Sequence, residues 1–311
     1  MRAVVIRSFG GPDVLKVAEV PVPTPGPGQV RIRVQAAGVN PVDAATREGW
    51  LVEAGLQPPR QVIGLGWDVA GTVDELGAGV TRFAPGDRVV GLCDRLDRPL
   101  GPYADYTVLD ESGVAAAPTT VSVVAAATLP LNALTTDQAL DLLDLRPGQS
   151  LLVTGAAGAL GGFAVQLAAL RRLRVVAAAG GDDERLVRGL GAELFVPRSA
   201  DLAAAVRTLV PGGVDAVIDA AMVGLRALDA VRGGGAFIAV AAGAAPVPLR
   251  GTRVANVWIR ADGVRLAELG SLVDSGRLTL RVAGTYPLAD AAAAHKRLAE
   301  GGLRGRLVLV P

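Results

Sequence analysis

The segment 151–162 restricts the fold more than any other part of this chain. It reads Leu-Leu-Val-Thr-Gly-Ala-Ala-Gly-Ala-Leu-Gly-Gly, an apolar run that passes into closely spaced glycines. A buried strand, a tight turn and the start of a buried helix explain this pattern. Similar apolar runs alternate with helical patterns from about residue 150 to residue 242. Strands apolar on both faces, alternating with helices, predict a doubly wound α/β domain around a parallel sheet.

The same region contains the longest uncharged stretch of the chain, residues 151–170. Its length alone would suit a membrane span, but four glycines and the polar Thr154 and Gln166 interrupt it. We therefore expect a strand, a turn and a helix and no membrane span. Residues 1–10 alternate as a strand and lack the apolar core of a signal peptide, so the cytoplasm is the expected compartment.

The first hundred or so residues have a different sequence pattern. Short β-branched runs alternate with proline and glycine clusters, which predicts a sandwich-like or barrel-like β lobe. After the α/β pattern the sequence predicts a strand over 254–260, a helix over 263–274 and strands over 277–283 and 306–310. We expect the C-terminal tail to complete the β lobe, so that the α/β domain is an insertion. Within that domain, a helix is predicted over 225–231.

The spacing in the glycine turn is Ala156-x-Gly158-x-x-Gly161, a dinucleotide-binding fingerprint whose first glycine is replaced by alanine. Gly158 lets the backbone approach a pyrophosphate, and Gly161 lets the helix pack against the strand. The helix N-terminus offers unpaired N–H groups to the anion. Within a strand–turn–helix–strand unit this pattern predicts a bound dinucleotide; a ligand-free glycine turn is the alternative.

The end of the second strand of that unit favours NADPH. An NAD site usually carries an acidic residue there, whereas residues 177–181 read Ala-Ala-Ala-Gly-Gly. Arg185 and Arg198 follow and could contact a ribose 2′-phosphate. Two alternatives stay open: both arginines are solvated, or the acidic run 182–184 faces the phosphate and repels it.

Composition argues against several other kinds of protein. The charges nearly balance, with 31 Lys+Arg against 30 Asp+Glu, so nucleic acid is not an expected partner. A single cysteine, Cys93, and a single histidine, His295, supply neither an internal disulfide nor a cysteine-based or multi-histidine metal centre. We expect no metal site.

Six sequence blocks together resemble one family nearly end to end. They run from Ala37 to Asp43, Gly64 to Gly71, Val80 to Val89, Gly101 to Tyr106, Ala125 to Thr135 and Gly301 to Leu309. The chain resembles the zinc-independent quinone oxidoreductases of the medium-chain dehydrogenase/reductase superfamily. The resemblance implies an α/β protein with two domains. Residues 1–120 and 278–311 would form a β-rich, GroES-like catalytic lobe, and residues 121–277 a doubly wound parallel-sheet Rossmann domain.

The resemblance also implies a reaction. Zinc-dependent relatives bind the metal through Cys, His and Cys, and the matching positions here hold Asn40, Trp67 and Leu131. None offers a thiolate or an imidazole, so the implied chemistry is metal-free hydride transfer from NADPH. The implied partner is a small-molecule electron acceptor, either a quinone or an α,β-unsaturated carbonyl. A non-catalytic NADPH-binding redox sensor or scaffold is the alternative.

Site residues follow from the turn and from the resemblance. Asn40 and Asp43 are candidate catalytic residues with positioning roles, although Asp43 could instead hold its loop by a structural hydrogen bond. By resemblance, Asn40, Thr135 and Arg306 contact the cofactor. The remaining expected cofactor residues are Thr154, Gly155, Ala156, Gly158, Ala159, Leu160, Gly161, Gly180, Arg185, Arg198, Asp219 and Ala241.

Other candidates have structural interpretations. We expect Tyr103 and Tyr106 to be packing residues, His295 a surface or half-buried histidine, and Cys93 an inert buried thiol. A short-chain dehydrogenase is excluded because no tyrosine is followed four residues later by lysine. The apolar segment from Val254 to Ile259 resembles the family's dimer strand, so we expect a homodimer through it.

Overall fold

The computed structural model describes residues 1–311. Sixteen strands and ten helices follow one another along the chain. Up to residue 126 these are β1 (Arg2–Ile6), β2 (Lys16–Glu19), β3 (Gln29–Val39), α1 (Pro41–Glu48), α2 (Trp50–Glu53), β4 (Ile63–Gly64), β5 (Asp68–Leu76), β6 (Arg88–Leu92), β7 (Tyr106–Asp110), β8 (Val114–Ala116) and α3 (Val123–Ala126). Up to residue 239 these are α4 (Pro130–Leu143), β9 (Ser150–Thr154), α5 (Ala159–Leu170), β10 (Arg174–Ala179), α6 (Glu184–Gly189), β11 (Leu194–Pro197), α7 (Leu202–Leu209), β12 (Val214–Asp219), α8 (Leu225–Leu228) and β13 (Val231–Ala239). The last five are β14 (Arg253–Asn256), α9 (Gly263–Asp274), β15 (Val282–Pro287), α10 (Ala291–Ala299) and β16 (Arg306–Val310), with short 3-10 turns between some elements.

The chain folds into two units, Met1–Leu131 with Arg260–Pro311, and Asn132–Ile259. These boundaries differ from the sequence-based ones at 120/121 and 277/278. The structure places α9 in the first unit, because the backbone N–H groups of Thr119 and Thr120 donate to Asp274 Oδ1 at 2.8 and 2.9 Å. Gly263 reinforces this placement, since a Cβ there would collide with the carbonyl oxygen of Val114.

The second unit contains a six-stranded sheet in the order β11-β10-β9-β12-β13-β14. All of its neighbouring strands are parallel. β9 lies at the position where the strand order reverses, which is where ligands bind in sheets of this kind. Its five residues are all buried, as expected for a strand covered on both faces. The α/β fold class predicted from the sequence is confirmed.

The first unit is a β structure closed by the end of the chain. A seven-stranded sheet runs β15-β16-β3-β5-β6-β8, with β7 also paired to β3, and a three-stranded sheet runs β2-β1-β4. β16 pairs antiparallel with β3, so that Leu309 lies opposite Ala37. The core of this unit therefore combines residues from both ends of the sequence.

Three predicted elements need correction. The helix expected over 225–231 ends at Leu228, because Val231 begins β13 and pairs with Val214. The strand expected over 277–283 begins only at Val282, because the N–H groups of Arg277 and Leu278 still bond to the Leu272 carbonyl and close the end of α9. The strand expected over 254–260 ends at Asn256, since its neighbour β13 ends at Ala239.

Residues 151–170, which have the length of a membrane span, form β9, the glycine turn and α5. No helix in the structure combines the length and the apolar character needed to cross a bilayer.

Candidate functional site

The glycine turn between β9 and α5 has the geometry of a phosphate-binding turn. Gly155 has φ +59°, a left-handed conformation that glycine adopts without strain. Gly158 caps α5 in an extended conformation, and the first turn of the helix contains Ala159, Leu160 and Gly161. A Cβ on Gly161 would collide with the Gly155 carbonyl oxygen. The helix start therefore lies against the turn, with its unpaired N–H groups available to an anion.

Thr154 and Asp219, at the carboxyl ends of β9 and β12, are bonded to each other. The Thr154 hydroxyl donates to Asp219 Oδ1 at 2.5 Å. The same carboxylate accepts the N–H groups of Val223 (3.1 Å) and Gly224 (2.8 Å), and the Thr154 hydroxyl accepts the N–H of Ala221 at 3.1 Å. These two predicted cofactor residues thus hold the loop after β12 in place.

The predicted phosphate-recognition arginines lie on the surface at the same edge of this sheet. Arg198 follows β11 directly, and its N–H donates to the carbonyl of Ala179, the last residue of β10, at 2.7 Å. Arg185 projects from α6, and both side chains are exposed. Neither arginine takes part in an ion pair in this structure.

Of the three acidic residues 182–184, one is ion-paired and one is buried. Glu184 is paired with Arg188 at 2.8 Å, and Asp183 is buried. Gly180 precedes these residues at the end of β10. Ala241 lies beyond the end of β13, where its carbonyl accepts the Asn256 side-chain amide at 2.9 Å. Thr135 is buried in α4.

In the first unit, Asp43 is the centre of a buried polar cluster. Its Oδ2 accepts the backbone N–H of Asn40 at 2.8 Å and the Tyr103 hydroxyl at 3.1 Å. Its Oδ1 accepts the N–H of Gly66 at 3.0 Å. The carboxylate therefore fixes the start of α1 and the Gly66–Trp67 segment together. Burial, with a smaller contribution from the charge of Asp68, raises the pKa of Asp43 to about 7, although its hydrogen bonds act in the opposite direction.

A hydrogen-bonded chain leads outward from Asp43. Arg47 Nη1 donates to His295 Nδ1 at 3.0 Å, and His295 Nε2 lies 3.4 Å from the Tyr103 hydroxyl. Because arginine can only donate, His295 must accept at Nδ1 and carry its proton on Nε2. Burial and the Arg47 charge lower the pKa of His295 to about 4, which keeps the ring neutral. The outer end of the chain is an ion pair between Arg47 and Glu48.

Asp68 is a member of this cluster that the sequence analysis missed. It is completely buried, accepts the Asn40 side-chain amide at 2.7 Å and accepts the Leu131 N–H at 2.6 Å. Burial raises the pKa of Asp68 to about 6, and the positive charge of Arg306 opposes that rise. With Nδ2 of Asn40 held by Asp68, Asn40 Oδ1 is a buried acceptor without a partner.

Arg306 supplies the positive charge beside the two carboxylates. It lies in β16, is 6% exposed and donates to the Val39 carbonyl at 3.2 Å. Burial lowers the pKa of Arg306, while Asp68 and Asp43 raise it. The structure thus brings together the predicted residues Asn40, Asp43 and Arg306. The signal for Asp68 was a carboxylate directly before the apolar residues 69–71 at the start of β5.

Three other interpretations from the sequence can be compared with the structure. His295 is 1% exposed, so the expectation of a surface or half-buried histidine was wrong. Tyr103 is buried as a packing residue would be, but its hydroxyl also bonds Asp43. Cys93 is a buried free thiol, and burial raises its pKa to about 11.

The residues at the positions of the zinc ligands do not suit zinc. The Asn40 amide is engaged by Asp68, and the side chains of Trp67 and Leu131 have no lone pair to offer a metal. Nowhere in the structure do three or more His, Cys, Asp or Glu side chains form a group that could hold a metal ion.

The strand order and the glycine turn define a dinucleotide-binding domain of the kind found in oxidoreductases. Two family models match the chain: the alcohol dehydrogenase GroES-like domain over residues 26–119 and the zinc-binding dehydrogenase over residues 190–309. The chain belongs to the medium-chain dehydrogenase/reductase superfamily, where its relatives are quinone oxidoreductases and alkenal reductases.

Three relatives illustrate this relationship. The chloroplastic NADPH-dependent alkenal/one oxidoreductase of Arabidopsis thaliana is 31% identical over the whole chain and 80% of its own length. The structure of the quinone oxidoreductase from Coxiella burnetii is 30% identical, with a TM-score of 0.90 over 100% of this chain and 99% of that one. A structure described as an NAD-dependent alcohol dehydrogenase is 34% identical, with a TM-score of 0.89 over 100% of both chains.

Proposed function

We propose that this protein is an NADPH-dependent reductase of quinones or α,β-unsaturated carbonyls that works without a metal ion. One observation carries the proposal. The turn before α5 keeps Gly158 and Gly161 of the dinucleotide fingerprint, while the positions of the zinc ligands hold Asn40, Trp67 and Leu131. A protein that retains the nucleotide turn but has no donors for zinc is suited to acceptors that take hydride without a Lewis acid.

The residues at the sheet edge support the choice of NADPH. Arg185 and Arg198 are exposed and free of ion pairs, and the acidic Glu184 is already neutralised by Arg188. A charge-assisted hydrogen bond to a 2′-phosphate contributes roughly 1.5–3 kcal/mol, enough for an order of magnitude or more in affinity. The relatives include both NADPH-dependent and NAD-dependent proteins, so the proposal of NADPH depends on these arginines.

In the proposed mechanism, the turn between β9 and α5 would hold NADPH, which would supply the hydride for the β-carbon of an enone or for a quinone ring. Asn40 offers its unpartnered Oδ1 to a donor on the cofactor or the substrate, and Asp68 keeps that amide in one orientation. Asp43 acts as a positioning residue, because it holds the backbone of Asn40 and Gly66. The proton that completes the reduction comes from water.

An acceptor panel tests this function. We expect quinones or enones to consume NADPH, to consume NADH more slowly, and to do so equally well with a chelator present. Binding of NADPH without turnover across the panel would favour the non-catalytic sensor or scaffold. Loss of activity on chelation, restored by zinc, would contradict the metal-free proposal.

We also propose that the protein is a homodimer joined through β14. This strand is the last of the six-stranded sheet, with β13 on one side and no strand on the other. Trp258, just beyond it, is 59% exposed. An uncovered strand edge beside a large exposed aromatic side chain favours association with a second copy.

A further inference from the structure

A small cavity in the first unit is lined by two residues that each carry a buried polar atom without a hydrogen-bond partner. It has a volume of about 30 Å³ and lies between α1, the Gly64–Trp67 segment and the loop over residues 93–101. Its lining includes Gln57, Trp67, Cys93, Leu96, Arg98 and Leu100. The volume is sufficient for a group the size of a water molecule.

The two atoms are an acceptor and a donor. Gln57 is 6% exposed, and its Oε1 is buried without a hydrogen-bond partner. Arg98 Nε is likewise buried and without a partner. Buried polar atoms are nearly always satisfied in proteins, so a pair of unsatisfied ones on a single cavity indicates a ligand group.

The Arg98 side chain and the Gln57 backbone are held in place by other contacts. Arg98 donates from Nη2 to Asp110 Oδ1 at 2.7 Å and from Nη1 to the Val108 carbonyl at 3.4 Å, while its Nε has no partner. The backbone N–H of Gln57 donates to the Leu51 carbonyl at 3.1 Å. A guanidinium that is fixed before binding loses little freedom when the ligand arrives.

The charges around the cavity favour a neutral ligand group. Arg98 is paired with Asp110, and Arg95 is paired with Asp97 at 2.8 Å and with Asp110 at 3.2 Å. Both arginines that line the cavity are therefore already paired with carboxylates. A hydroxyl group, by contrast, can donate to Gln57 Oε1 and accept from Arg98 Nε while occupying the space of one water molecule.

The cavity adjoins the segment that Asp43 positions. Its wall contains Gly66 and Trp67, and the Gly66 N–H is bonded to Asp43 Oδ1. We propose that Gln57 and Arg98 form a subsite for a neutral hydroxyl group on the electron acceptor, so that hydroxylated acceptors are preferred. This inference rests on the proposed reductase function.

Matched acceptors test the subsite. For the wild type, kcat/KM with 6-(hydroxymethyl)-1,4-naphthoquinone should exceed that with the 6-(methoxymethyl) compound about tenfold, because the ether cannot donate to Gln57. Gln57→Met and Arg98→Lys should each reduce this ratio to about one to three. Gln149→Met makes the same chemical change in the second unit, before β9, and should leave the ratio at its wild-type value.

Equilibrium binding separates failure of the subsite from failure of the function. Calorimetric titration with 2-(hydroxymethyl)naphthalene and its methyl ether needs no turnover and should show about a tenfold difference in Kd. If quinones are reduced but neither ratio departs from one, the subsite is wrong and the reductase function stands. If no quinone is reduced but the alcohol still binds about tenfold more tightly, only the reductase function fails. A folded Gln57→Met protein, judged by its thermal melting, that keeps the tenfold difference in binding would also contradict the subsite.

Discussion

Tyr103 donates its hydroxyl hydrogen to Asp43 Oδ2, the same carboxylate oxygen that accepts the backbone N–H of Asn40. The two donors come from positions 63 residues apart in the sequence, at 3.1 and 2.8 Å. A buried carboxylate held in this way is sensitive to protonation, because each donor prefers the charged form.

The first prediction concerns the pH dependence of stability. The pKa of Asp43 is raised to about 7, above the ordinary aspartate value of 3.8. The folded protein therefore binds this proton more readily than the unfolded chain. The resulting stabilisation is complete below about pH 4 and is lost as the pH rises through 7. We expect the unfolding free energy of the wild type to fall between pH 5 and 7.5 relative to that of Asp43→Asn, measured by urea denaturation.

Two further variants refine that measurement. Tyr103→Phe removes a hydrogen bond that lowers the pKa of Asp43, so the fall in stability should move to higher pH. Tyr286→Phe makes the same change elsewhere in the first unit and serves as the control. His295, whose pKa is lowered to about 4, contributes in the opposite direction below pH 6.5, so the comparison with Asp43→Asn is essential. Identical pH slopes for the wild type and Asp43→Asn would refute the assignment.

The second prediction separates two roles of glycine in the turn. In Gly161→Ala, the new Cβ would collide with the Gly155 carbonyl oxygen, so we expect a loss of about 1–3 kcal/mol of stability. In Gly158→Ala the backbone already has φ −69°, so the protein should fold. The added methyl group should nevertheless weaken NADPH binding about tenfold or more, because it occupies the approach to the pyrophosphate. Thermal melting and NADPH titration of both variants provide the measurement, and wild-type NADPH affinity in Gly158→Ala would exclude the turn as the phosphate site.

The third prediction concerns cofactor preference. Arg198→Ala and Arg185→Ala should each raise the KM for NADPH about tenfold or more and leave the KM for NADH nearly unchanged, since only NADPH carries the 2′-phosphate. Arg188→Ala is the control, because Arg188 is already paired with Glu184. If neither substitution alters the ratio of NADPH to NADH activity, the two arginines do not recognise the phosphate.

The fourth prediction concerns Cys93. Burial raises the pKa of this thiol from 9.0 to about 11, which reduces the thiolate fraction at neutral pH roughly a hundredfold. We expect iodoacetamide to alkylate the native protein very slowly, with activity retained. The urea-unfolded protein should take up one equivalent, as mass spectrometry can measure. Rapid alkylation of the native protein would show that the thiol is accessible and reactive.

The fifth prediction concerns oligomeric state. Sedimentation at micromolar concentration should give a dimer for the wild type. Trp258→Asp, which places a charge beside the open edge of β14, should shift the protein toward monomer, whereas Met222→Asp, another exposed apolar position in the second unit, should not. A monomeric wild type would rule out the interface.

Local sequence patterns predicted the second unit well. The residues that form the glycine turn are close together in the sequence. Each buried parallel strand is likewise recognisable from its own apolar run. In the first unit, α9 was predicted over 263–274, the bounds that the structure shows. The predicted bounds over 225–231 and 277–283 were wrong because, in both places, a helix ends in a turn within the same few residues.

The buried cluster could be predicted only in part, because its members meet through long-range packing. Asn40 and Asp43 were identified from one motif, but their partners Asp68, Tyr103 and His295 lie up to 255 residues away from Asn40. A signal for His295 was present in α10. Ala291, His295 and Leu298 recur at helical spacing on the face that packs into the core.

The pairing of β16 with β3 governs the order in which the protein can be completed during translation. The second unit is one continuous stretch, Asn132–Ile259, and can fold while the ribosome is still adding residues 260–311. The first unit emerges earlier but finishes later, because His295, Arg306 and β16 are synthesised after the whole of the second unit. Until they arrive, Asp43 and Asp68 lack their cationic neighbour, so the buried cluster is completed only after the second unit has been synthesised.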